Sequence, residues 1–155
     1  MTNSAYGRRP DLLPQFITDS LRKSNKLIRL LTLDENSELA KASLNRFSHA
    51  FAGVINWDGA PNVERISFAD EPEGKEVLNR LLTQVADHDS SITLFWGTLD
   101  VPSATLPVDL AKMHSDELVE RDLDFWLFCP KGAKLIEFRQ DGYVTSALIP
   151  PTPLN

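Results

Sequence analysis

The chain has 155 residues, 42% hydrophobic and 25% charged, with 16 Lys and Arg against 22 Asp and Glu. That length makes one domain able to bury roughly 70% of its unfolded surface, so no disulfide or metal is required, and the ordinary charged fraction excludes wholesale disorder. The net charge of −6 is uneven: residues 1–46 carry +3 and residues 47–155 carry −9, so the larger part repels nucleic acid and anionic membrane and attracts a basic partner.

The stretch Met1–Arg9 lacks the apolar centre of a secretory signal, and no apolar run approaches the roughly 20 residues of a membrane span. Cys129 stands alone inside Phe125-Trp126-Leu127-Phe128-Cys129, where a buried, inert thiol is expected. A cytoplasmic protein of a reducing compartment follows as the expectation.

Ile17, Leu21, Ser24, Ile28 and Leu31 fall on one stripe at about 100° per residue, with Pro10 and Pro14 near the start, which predicts a helix with an alternative break at Ser24-Asn25. Asp34 reads as the N-cap of a second helix containing Leu39, Ala42, Phe47, Ala50, Phe51 and Val54. The turn-rich run Asn56–Asn62 closes this helical part, about residues 11–54. Val63–Phe68 is a predicted short strand. Asp70 with Glu73 marks a helix start that would bury Val77, Leu78, Leu81, Leu82 and Val85.

Ile92–Leu99 reads as a strand covered on both faces, Asp100–Pro107 as a loop with two prolines, and Leu106–His114 as a short helix. Leu123–Cys129, Ala133–Gln140 and Tyr143–Ile149 form a predicted three-stranded meander, with Asp141-Gly142 as a two-residue hairpin. That register pairs Gln140 with Tyr143, Phe138 with Thr145 and Ile136 with Ala147, and leaves Glu137 and Arg139 facing solvent or a partner. The expectation is one α+β domain over 1–155, with a mixed part at about 63–149 and a Pro-rich tail at 150–155. Its antiparallel sheet has four to five strands, with helices packed on one face.

The sequence lacks a dinucleotide or phosphate loop, a G-x-S-x-G elbow, an H-E-x-x-H pair and a C-x-x-C pair, so no cofactor or metal is expected. Ser20-Leu21-Arg22-Lys23 fits the short S-x-x-K pattern, which arises readily by chance. His114 and Glu117, three apart, would share a helix face as a weak acid–base pair or two ligands of a metal-assisted hydrolase; the plainer reading is a polar helix end. Asp87-His88-Asp89 reads as a solvated turn and His49 as a packed side chain. Arg22, Lys23, Lys26 and Arg29 lie opposite the apolar stripe without interleaved aromatics, the pattern of a solvated face rather than of an RNA site.

The acidic residues form two groups. Asp70, Glu71 and Glu73, with Glu76, cluster at a helix start, where capping and the helix dipole explain most of them. Asp116, Glu117, Glu120, Asp122 and Asp124 put five carboxylates in nine residues beside an apolar strand, which serves solubility or a surface for Lys and Arg of another protein. Trp57 is a candidate aromatic anchor for such an interface, or a cap on the core.

An acidic single domain with a helical first part and the ending Asp124-Phe125-Trp126-Leu127-Phe128 … Lys134-Leu135-Ile136-Glu137-Phe138 … Gly142-Tyr143-Val144 resembles the small immunity proteins that bacteria pair with contact-dependent growth-inhibition toxins. The resemblance is one of layout over most of the chain. It implies binding without catalysis: such a protein covers a cognate toxin domain, often a basic nuclease, in the cytoplasm of the producing cell. A regulatory module for some other protein partner is the other binding role compatible with these features.

Overall fold

The computed structural model describes residues 6–24, 26–50 and 54–154. A seven-stranded antiparallel sheet forms its centre, in the order β1 (Arg29–Leu30), β6 (Ala104–Pro107), β5 (Ser91–Trp96), β7 (Phe125–Cys129), β8 (Lys134–Arg139), β9 (Tyr143–Leu148), β4 (Glu64–Ser67). A small hairpin of β2 (Ser48–His49) and β3 (Ile55–Asn56) is separate from it. The helices among the described residues are α1 (Gln15–Lys23), α2 (Leu33–Lys41), α3 (Glu71–Val85), α4 (Val108–Met113) and α5 (Ser115–Glu120). The fold is α+β and ends in the β7-β8-β9 meander.

The sheet is wider than four or five strands because β1 and β6 join it. Pro102 and Pro107 make the β6 region read as a loop. Pro107 lies at the strand's end, opposite Ser91 and past the short β1, so its missing N–H breaks no ladder bond. On the other side of that pairing, the first helix stops early. Ser24 (φ 54°) and Lys26 (φ 63°) are left-handed, and the Ser24 N–H closes α1 on the Leu21 carbonyl. Ile28 and Leu31 are therefore buried around an edge strand, not along a helix, while Asn25 lies outside the described residues.

The second helix is also shorter than its apolar spacing predicts. Its cap is Thr32 rather than Asp34: Thr32 Oγ1 accepts the Glu35 N–H at 3.1 Å, and Glu35 Oε1 accepts the Thr32 N–H at 2.9 Å. At the other end the Ser43 hydroxyl donates to the Leu39 carbonyl at 2.8 Å, a local bond of the kind that competes with helix continuation. A 3₁₀ turn (Leu44–Arg46) and the β2–β3 hairpin follow, so the part predicted as helical to residue 54 is mixed. Phe51, placed in that helix by the sequence pattern, lies outside the described residues.

The β8–β9 turn holds three residues, Gln140-Asp141-Gly142, with Gly142 at φ 113° and its N–H on the Arg139 carbonyl at 3.1 Å. The register is therefore one residue from the predicted one: Arg139 pairs with Tyr143, Phe138 with Val144 and Glu137 with Thr145. A one-residue slip exchanges the two faces of a strand. Val144, rather than Thr145, thus joins Phe138 and Ile136 under the helices.

Both sheet faces are covered. Helices α1, α3, α4 and α5 supply Ile17, Leu78, Leu82, Ala111 and Leu118 to a core shared with Phe125, Leu127, Ile136 and Phe138. The Phe125 and Phe138 rings, a cross-strand pair, stack at 5.1 Å between centroids. The opposite face buries Phe95, Phe128, Leu135 and Ala147 against Phe47 and Ile55, with Leu39 of α2 and Trp57 packed around them. This second layer overturns the expectation that Glu137 meets solvent: Glu137 is 2% exposed.

Candidate functional site

The predicted acidic residues divide according to what their oxygens do. Asp70 caps α3, accepting the Glu73 N–H at 3.0 Å, and Glu73 accepts the Ala69 N–H at 2.8 Å. Asp124 accepts the Gln140 N–H at 2.7 Å and ties the β8–β9 turn to the start of β7. Glu117 is spent twice: Oε1 accepts the Phe16 N–H at the start of α1 (2.9 Å), and Oε2 meets His114 Nδ1 at 3.0 Å. Asp122 is exposed, in a left-handed turn (φ 60°) after α5.

The remaining three come together. Glu71 of α3 and Asp116 and Glu120 of α5 are exposed and line one open cleft of about 280 Å³ with Lys75. None of the three carboxylates has an ion pair among the described residues. Sequence reasoning named these acids as two separate groups and missed Lys75. The packing of α3 on α5 joins them, and the apolar positions Val77, Leu81, Leu118 and Val119 are the signal that could have predicted it. Glu120 also lines a larger cleft of about 630 Å³ between α1 and α5, with Asp11, Arg22 and Arg121. There the basic start of the chain lies against the acidic remainder, and the Arg121 guanidinium donates to the Leu12 and Leu13 carbonyls at 3.3 and 3.4 Å.

Trp57 is not part of this surface. It is half-buried in the second layer, edge-on to Phe47 at 5.0 Å, and its indole helps to lower the Glu137 pKa. Trp126 Nε1 donates to the same carboxyl at 2.9 Å. Burial pushes the Glu137 pKa above the ordinary glutamate range, and the indole donors and Arg139 offset this only in part.

The His114–Glu117 pair opens on a third cleft, of about 220 Å³, which Ser20 and Lys23 also line. The imidazole lies flat on the Phe16 ring, 4.5 Å between centroids and 6° from parallel. Among the described residues no group of three His, Cys, Asp or Glu is arranged to hold a metal ion. Asp89, beside His88, is buried and accepts the Lys131 and Gly132 N–H groups at 2.7 and 3.0 Å, so its carboxylate organises the β7–β8 turn. Burial pushes the Cys129 thiol up to about 12, as expected of an inert cysteine. No helix is long and apolar enough to cross a membrane among the described residues. No protein-family model matches the chain, and no curated protein matches it.

Proposed function

We propose that this protein binds a cognate bacterial toxin domain and neutralises it, acting as an immunity protein in the cytoplasm of the cell that makes the toxin. The α3–α5 acidic face would cover the toxin's active site or substrate surface. The observation that carries this reading is the cleft where Glu71, Asp116 and Glu120 converge with no ion pair among the described residues. Backbone groups engage Asp70, Glu73, Glu117 and Asp124. Among the described residues the cleft acids accept no N–H, so their charge is available to a partner. Exposed like charges gathered on one surface steer a basic partner and suppress wrong ones, an effect that falls with salt. On a nuclease, they would sit where substrate phosphates bind.

The test is co-expression with the toxin encoded beside the gene. Protection of the cell and a stable complex are expected. The combined variant Glu71→Gln, Asp116→Asn, Glu120→Gln should keep the fold and slow association at low salt by roughly 10-fold or more. Absence of both protection and complex sinks the reading; an unchanged association rate removes the acidic face from it.

A further inference from the structure

We propose that Asp58-Gly59 is a site of covalent self-modification, where the folded chain converts aspartate to isoaspartate through a cyclic imide. The sequence holds two Asp-Gly pairs, Asp58-Gly59 and Asp141-Gly142, and the structure treats them in opposite ways. Glycine after aspartate matters because its amide nitrogen, with no side chain in the way, can swing onto the neighbouring carboxyl carbon.

Asp141-Gly142 is tied down. The Gly142 nitrogen that would close the ring donates to the Arg139 carbonyl at 3.1 Å, and Asp141 Oδ2 accepts from Arg139 Nε at 3.2 Å. The Gly142 carbonyl also accepts the Phe68 N–H at 2.9 Å, which joins this turn to the segment after β4. Asp58-Gly59 lacks such ties. It forms the tip of a four-residue turn closed by the Ala60 N–H on the Trp57 carbonyl at 3.1 Å, with Gly59 at φ 82°. Both residues are exposed, and no atom beyond the adjoining residues lies within 4 Å of the place where a Gly59 side chain would begin. Among the described residues, neither the Asp58 carboxyl nor the Gly59 N–H has a hydrogen bond or an ion pair. The Asp58 N–H is held by Asn56 Oδ1 at 3.0 Å, a bond that engages neither reacting atom.

In the reaction, the Gly59 nitrogen attacks Cγ of the Asp58 carboxyl. Its proton joins the departing hydroxyl, which leaves as water, and a five-membered succinimide remains. Water then adds to either ring carbonyl. Addition at Cγ restores aspartate, whereas addition at the main-chain carbonyl breaks the original peptide C–N bond and leaves Gly59 joined through Cγ. The main chain is then one methylene longer and carries a free α-carboxylate. That change falls beside Trp57, which packs edge-on to Phe47 at 5.0 Å, and between β3 and β4. Isomerisation therefore loosens the layer over the second sheet face.

The test is ageing of the folded full chain at physiological temperature and neutral pH. Peptide chromatography with electron-transfer fragmentation locates isoaspartate, and a chain aged in denaturant serves as reference. In the folded chain position 58 should isomerise faster than position 141 by roughly 10-fold or more, since ring closure at Asp141 must break two existing bonds. In denaturant the two rates should converge. Asp58→Glu, which would need a slower six-membered ring, should abolish modification at 58 and leave position 141 unchanged. The aged wild type should also lose a few degrees of melting temperature that aged Asp58→Glu keeps. Equal rates at the two positions in the folded chain, or no isoaspartate at 58, overturn the proposal. Toxin binding does not enter into it, so a chain that protects against its toxin but does not isomerise at 58 loses only this site.

Discussion

Glu120 and Glu137 have the same carboxyl group and opposite fates. Glu120 stands in water beside Asp116, with no partner among the described residues, and Glu137 lies under a protein layer with the Trp126 indole donating to it. The difference arises from the element, not from the residue type. Glu120 is on the solvent side of a six-residue helix whose other side buries Leu118 and Val119. Glu137 is on a strand covered on both faces, so its side chain enters one core or the other whichever way it points. A charge in water can serve recognition at little structural cost, whereas one in a core must be fully hydrogen-bonded to be tolerated.

That contrast can be broken at several points. Phe138→Ala, on the same strand as Glu137 but facing the helices, should cost about 3–5 kcal/mol because it empties the stack with Phe125 and Phe68. Denaturant unfolding would check it; a loss under 1 kcal/mol would mean that the site collapses freely. Trp126→Phe keeps the ring and removes one donor to the buried carboxylate, with an expected cost of about 1.5–3 kcal/mol by the same measurement.

The third test uses pH. The folded-state pKa of Glu137 is raised, chiefly by burial, so its contribution to stability is fully present below the unfolded value and is lost as pH rises through the folded one. On acidification from neutrality, the wild-type melting temperature should therefore gain on that of Glu137→Gln; parallel profiles would show that the buried carboxyl carries no such linkage. The smallest effect is expected at the cleft. Asp116→Asn with Glu120→Gln should change stability by less than about 0.5 kcal/mol. A larger destabilisation would reveal a structural role for these acids, and the contrast with Glu137 would fail.

The sequence was most informative where short-range rules operate. Asp70 caps α3 as its spacing with Glu73 predicts, and Val77, Leu78, Leu81, Leu82 and Val85 all reach the core. The meander was legible from its alternating apolar runs and turn residues. Its register was not, because Asp141-Gly142 suits a two-residue turn as well as the end of a three-residue one. Helical spacing at Ile28 and Leu31 concealed β1, whose pairing with β6 depends on residues about 75 positions away. The acidic face was half legible. The run from Asp116 to Asp124 is conspicuous, yet Glu117 belongs to the Phe16 amide and Asp124 to the Gln140 amide, contacts that no local pattern announces.

The two ends of the sheet bear on how the chain behaves when crowded. One end is β1, two residues long, and the other is β4, four residues that include the exposed charges Glu64 and Arg65. The Arg65 guanidinium lies over the Tyr143 ring of the neighbouring strand, 4.1 Å from its centroid. Neither end offers a long apolar row of open amides on which another chain could extend the sheet. A seven-stranded antiparallel sheet thus stops at both margins, one too short to template a further strand and one too highly charged to welcome it.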